Sequence, residues 1–161
     1  MAANAQDIKA EDIERFFAAQ KRAIDTRGLC VGSRDECEPL NMFVEFQLNS
    51  AELEPAAIPN IEEFAVAINQ PELISQYFLV SGHTDASGSE EYNLLLSEQR
   101  AQAVSSILIE LGVSEDRLAA IGFGEKRLKS TDPFSARNRR VEINLTGKGE
   151  FKTSSEHNSN E

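Results

Sequence analysis

The stretch from Tyr77 to Gly112 constrains the architecture of this chain more than any other. Tyr77 to Gly82 (YFLVSG) is a short, nearly continuous apolar run of strand length, which predicts a strand buried on both faces. Gly88 supplies a tight turn, Ser89 is placed to cap a helix, and Glu90 and Glu91 fall in the first turn, where the helix dipole favours acids. The helix predicted over 90–111 carries a stripe of Ser97, Ala101, Val104, Leu108 and Leu111 at steps of three and four, and Gly112 ends it. A strand that feeds directly into a long helix with one apolar stripe is the working part of an α/β fold.

The other elements fall around this unit. Ile8, Ile13, Phe16, Phe17, Ala23 and Ile24 recur at helical period and predict an amphipathic N-terminal helix. A cysteine-bearing loop follows over 27–40. Met42, Val44, Phe46 and Leu48 alternate as a strand should, and Asn49-Ser50 turn the chain at its end. Ile61, Phe64, Ala65 and Ile68 share a helix face behind Pro59. A third strand is expected over 117–123 and a fourth over 139–145, with Val141, Ile143 and Leu145 inward and Arg140, Glu142 and Asn144 on a wet face. The order βαβαββ predicts a two-layer α/β sandwich: a mixed sheet of about four strands covered by helices, with an extra N-terminal helix. Three segments are expected: 1–41, the helix and cysteine loop; 42–145, the main domain; and 146–161, a polar tail read as disordered.

Composition narrows the function. Lys plus Arg number 16 against 27 Asp plus Glu, a formal charge of -11, which repels phosphate backbones and anionic lipid. Neither nucleic acid nor a membrane surface is therefore expected as a partner. No apolar run approaches the roughly 20 residues that span a bilayer. Met1 to Ala10 lacks the apolar core of a signal peptide, so an exported protein of this sequence is expected to be a mature or truncated form. His83 and His157 do not stand at ligand spacing from the two cysteines, so no metal site is expected, and no cofactor motif is present: Gly122-Phe123-Gly124 lacks the third glycine of a dinucleotide loop.

Chemistry concentrates where the second strand ends. Asp85 follows that strand, and Arg100 lies on the next helix beside the core stripe. A carboxylate accepts an ammonium and a guanidinium holds a carboxylate in a two-pronged fork, so the pair suits a ligand with both groups on one carbon, an amino-acid head group. Asn93 is seven residues before Arg100, within about 20° on the same helix face. The alternative is an internal Asp85–Arg100 ion pair that fixes strand to helix. Arg139, by strand alternation, faces the same side as Val141 and is read as supporting the site through a carboxylate or as structural. Tyr92 and Leu96, taken alone, read as core, and His83 as a satisfied strand residue. Catalysis is not expected: Ser81, His83 and Asp85 alternate on one strand about 7 Å apart, too far for a relay, and no second acid faces Asp85.

The ordered residues Gly82-His83-Thr84-Asp85, Gly88, Asn93, Leu96-Ser97, Arg100-Ala101, Val104, Gly122-Phe123-Gly124-Glu125 and Asn138-Arg139-Arg140-Val141-Glu142 resemble the pattern of OmpA-like peptidoglycan-binding domains. The resemblance runs from about Met42 to Leu145. Leu128, Ser135 and Gln47 depart from the pattern, all in or beside connecting segments. It implies a periplasmic module, attached to the outer membrane in the full-length protein, that holds peptidoglycan non-covalently through meso-diaminopimelate in the stem peptide. It further implies that Asp85 and Arg100 contact the amino and carboxylate groups of that residue. Thr84, Asn93 and Asn49 would support them, and Leu96 and Val104 would shape the wall. Another envelope protein as partner, with peptidoglycan binding weak or lost, is the rival reading. Cys30 and Cys37 enclose a short turn-bearing loop that fits either two reduced thiols or a disulfide, and the periplasm that the resemblance implies is a compartment where such bonds persist.

Overall fold

The computed structural model describes residues 8–24, 30–42, 44, 46–47 and 49–146. Four helices, α1 (Ala10–Ala23), α2 (Arg34–Cys37), α3 (Ile58–Ile68) and α4 (Glu90–Glu110), accompany four strands, β1 (Leu40–Met42), β2 (Tyr77–His83), β3 (Leu118–Gly122) and β4 (Arg140–Thr146). The strands form one mixed sheet in the order β1-β4-β2-β3, with β2 parallel to β3 and β4 antiparallel to both β2 and β1. The fold is thus the expected α/β sandwich, with β2 central and α4 crossing over to β3. The expected tail lies outside the described residues apart from Thr146, which closes β4.

The helix-facing side of the sheet carries Phe78 and Val80 from β2 and Val141, Ile143 and Leu145 from β4, all buried. Phe78 packs edge-on against Phe17 of α1 at 5.2 Å and Phe64 of α3 at 6.1 Å, and Phe17 meets Phe64 at 5.8 Å. Edge-to-face rings add to the area they bury. The N-terminal helix is therefore part of the same core. Its remaining polar core residue, Gln20, is satisfied at both ends: Oε1 accepts from the Leu145 backbone at 3.2 Å and Nε2 donates to the Glu38 carbonyl at 3.0 Å. Cys30 and Cys37 are joined, with their Cα atoms 5.6 Å apart, which ties α2 to the chain leaving α1.

Four details differ from the sequence expectation. The first strand ends at Met42 instead of beginning there, because Met42 pairs with Val141 and β4 starts one residue earlier at Arg140, so the ladder runs out. Phe43, Glu45 and Leu48 of the expected strand lie outside the described residues, and an isolated bridge joins Phe46 to Leu53. β2 is covered fully on one face only, since Tyr77 and Leu79 stay half exposed. The face of β4 expected to be wet is covered at its start: Arg140 and Glu142 are buried beneath the segment after β3, where Arg127 gives its carbonyl to Arg140 and Phe123 stacks on His83 at 5.4 Å. Leu111 is exposed, because α4 has turned away from the sheet at Gly112.

α4 is held at both ends and presses closely on the strands between. Ser89 caps it, its hydroxyl accepting from the Tyr92 N–H at 3.1 Å. At its end Gly112, at φ 95°, donates to Ile109 and Val113 to Leu108, the paired 5→2 and 6→1 bonds that close a helix through a left-handed residue. A side chain at Gly82 would collide with the Ser97 carbonyl, and one at Gly122 with the Glu98 N–H. These two glycines let the helix backbone rest directly on the carboxyl ends of β2 and β3, which hangs Asn93 and Arg100 over the point where β2 ends.

Candidate functional site

Beyond β2 the chain forms one side of a pocket of about 360 Å³. Thr84, Asp85 and Ser87 come from the strand end, Tyr92, Asn93, Leu96 and Arg100 from α4, Phe46, Gln47 and Asn49 from the turn after β1, and Arg139 from the entry to β4. Of the residues expected at a site, Asp85, Arg100, Thr84, Asn93, Asn49, Leu96 and Arg139 are brought together. Val104 is not: it is fully buried in the core two turns below. Phe46, Gln47, Ser87 and Tyr92 join the lining without having been singled out for it.

Asp85 is buried yet well supplied with donors. Its Oδ1 accepts from the Ser87 N–H at 2.8 Å and its Oδ2 from Arg139 Nη1 at 2.7 Å. Burial alone would raise its pKa, but the bonds from Ser87 and Arg139 outweigh that and hold the carboxyl below its ordinary range. It is ionised at neutral pH. Asn93 Nδ2 bonds the Asp85 carbonyl at 3.2 Å and so fixes the loop to the helix. The ion pair of this site is therefore Asp85–Arg139, not Asp85–Arg100.

Arg100 is held differently. Its Nε donates to the Ser50 carbonyl at 3.0 Å, and its guanidinium lies over the Phe46 ring at 4.9 Å. Among the described residues no acceptor meets its two terminal nitrogens. Burial lowers its pKa, but a guanidinium stays charged. Arg117 makes the contrast plain. That buried arginine gives Nε to Gln76, Nη1 to Asn69 and Nη2 to both Ile68 and Leu73. Every guanidinium nitrogen of Arg117 is bonded, whereas among the described residues Arg100 is bonded only through Nε.

Thr84 adds a second open group. Its backbone N–H is taken by the Gly124 carbonyl at 2.9 Å, while its buried Oγ1 has no partner among the described residues. Asn49 sits at φ 53°, a left-handed conformation that asparagine tolerates, at the tip of the turn whose Ser50 carbonyl steers Arg100. On the far side of the sheet His83 lies 3.4 Å from Glu142, which Arg140 Nε also bonds at 2.7 Å. His83 and Asp85 thus belong to separate clusters on opposite faces. Among the described residues no cluster of metal-ligating side chains occurs, and no helix is long and apolar enough to cross a membrane.

The model of the OmpA family matches residues 45–142, which contains every pocket residue named above. The chain belongs to the OmpA family. It is 31% identical to the peptidoglycan-associated lipoprotein of Pseudomonas putida, over 87% of this chain and 82% of that protein. It is 35% identical to the peptidoglycan-associated lipoprotein of Pseudomonas aeruginosa, over 61% of this chain, and spans 58% of that relative's length. The crystal structure of the peptidoglycan-associated lipoprotein from Burkholderia pseudomallei superposes with a TM-score of 0.56 at 27% identity, covering 64% of this chain and 88% of that one.

Proposed function

We propose that this OmpA-family domain is a non-catalytic module of the bacterial cell envelope that holds peptidoglycan by the free end of a meso-diaminopimelate residue. The observation that carries the reading is Arg100: a buried guanidinium that lines the pocket and whose two outer nitrogens meet no acceptor among the described residues, in the same pocket as an ionised carboxylate. One α-amino acid terminus fits this arrangement, with its carboxylate on the Arg100 fork and its ammonium on Asp85. The open Thr84 hydroxyl takes a further ligand hydrogen bond, Asn93 fixes the carboxylate loop, and Leu96 with the Phe46 ring walls the carbon chain. Relatives named peptidoglycan-associated lipoprotein support the partner class, and relatives named outer membrane porin support an outer-membrane setting.

Co-sedimentation tests this. Parent protein pellets with diaminopimelate-type peptidoglycan, and folded Asp85→Ala and Arg100→Ala variants stay in the supernatant. Equal pelleting of all three overturns the assignment of the site and favours another envelope protein as the partner.

A further inference from the structure

A second, larger cleft of about 540 Å³ adjoins the pocket, and Phe46, Arg100 and Arg139 form part of both walls. Its other polar residues are Glu54 and Arg140. Arg140 is already committed: its Nε bonds Glu142, its Nη2 the Arg127 carbonyl and its Nη1 the Asn138 carbonyl. Arg139 is not. Its side chain is half exposed, and its guanidinium is engaged among the described residues only through Nη1 on Asp85.

Charge counting then gives a mismatch. The pocket offers one carboxylate, Asp85, and two guanidiniums, Arg100 and Arg139, whereas an amino-acid terminus brings one ammonium and one carboxylate; Glu54 lines only the adjoining cleft and pairs with neither arginine among the described residues. Once the ammonium occupies Asp85, Arg139 loses its partner in a partly desolvated setting, which is costly unless another anion meets it. We infer that Arg139 changes partner on binding: it leaves Asp85 to the ligand ammonium and turns into the adjoining cleft, where it binds a second carboxylate of the same ligand. Resting on the function proposed above, the source is the stem-peptide residue beside the diamino acid. A γ-linked glutamate there leaves its α-carboxylate free, and an amidated one does not. The cleft therefore discriminates acid from amide forms of the stem.

The test is calorimetric titration with three probes: free meso-diaminopimelate, the tripeptide L-alanyl-γ-D-glutamyl-meso-diaminopimelate, and the same tripeptide with the glutamate α-carboxylate amidated. Parent protein prefers the acid tripeptide over the amide by about tenfold or more, the lower end of couplings between close charge pairs across interfaces. In Arg139→Gln that ratio falls to near one. Ala136→Asp, which places an opposing charge on an exposed wall position of the cleft away from Asp85, lowers it as well. Equal binding of acid and amide by the parent, or an unchanged ratio in Arg139→Gln, overturns the partner exchange alone. If the parent fails to bind free meso-diaminopimelate, the proposed function falls with it.

Discussion

Arg100 and Arg117 are both buried guanidiniums, and their different bonding separates the residue proposed to hold ligand from the structural one. Removing Arg117 strips four acceptors of their donor and should destabilise the fold. Removing Arg100 frees one carbonyl, Ser50, and should act mainly on ligand. Arg100→Ala and Asp85→Ala are each expected to weaken stem-peptide binding by about 2 to 5 kcal/mol, the range for truncating one partner of a desolvated charge pair, while both variants stay folded, Asp85→Ala with some stability lost through its bonds to Ser87 and Arg139. Arg100→Lys should bind poorly too, since an ammonium cannot present a planar fork. On the opposite face, burial would raise the Glu142 pKa, but the close approach of His83 at 3.4 Å and the hydrogen bond from Arg140 pull it down from 4.5 to about 2. Its contribution, on the order of 3 kcal/mol, is present above pH 4.5 and disappears as pH falls toward 2. Burial lowers the His83 pKa below 6.5, so its share also fades as pH drops below that value. Urea melts from pH 7 to 3 should show this acid weakening, and Glu142→Gln should flatten the lower part of it. The central pair and its neighbours could be read from residue type and spacing. Arg139 could be read as a support acting through a carboxylate, but not that the carboxylate is Asp85: that depends on the β2–β4 register, which opposes His83 to Arg140 and leaves Arg139 beside the Asp85 loop, and an isolated sequence does not state a register.

At the scale of elements, the site depends on how closely α4 sits on the ends of β2 and β3. Gly82→Ala drives a methyl group into helix backbone, which cannot swing aside as a side chain would, and is expected to cost about 3 kcal/mol, the upper part of the overpacking range. It should also tilt Arg100 off the pocket and weaken binding even in the fraction that folds, a double effect that denaturation and titration together resolve. Ser89→Ala should cost about 1 kcal/mol through loss of the cap alone. α4 was legible from sequence because its cap, its acidic first turn and its terminal glycine are local signals. β1 was less so. The alternation predicted a strand over 42–48, but the pairing of β1 with β4 is described only as far as Met42–Val141, one residue from the start of β4. Phe46, Asn49 and the Ser50 carbonyl, which follow, reach the pocket and Arg100.

Across the whole molecule, α1 is a structural part of the domain that carries the site. Phe17 is fully buried between Phe64 and Phe78, so Phe17→Ala should cost about 3 to 5 kcal/mol. Reducing Cys30–Cys37 opens a short loop at the molecule's edge and should cost only about 2 to 3 kcal/mol by loop entropy, with binding largely retained. Hydrophobic period predicted the helix but not the surface it covers, because packing partners lie far away in sequence; the Gln20 bond to Leu145 closes a separation of 125 residues. The central claim is that an ionised Asp85 and an open Arg100 fork together select a molecule with an ammonium and a carboxylate on one carbon at the end of a side chain. Isothermal titration of the protein with the tripeptide ending in meso-diaminopimelate, against the same tripeptide ending in lysine, tests it most directly. Lysine keeps the ammonium and lacks the second carboxylate, so the account predicts saturable binding of the first and a loss of about a hundredfold or more for the second, the worth of an unpaired charge. Equal affinity for the two peptides would contradict it.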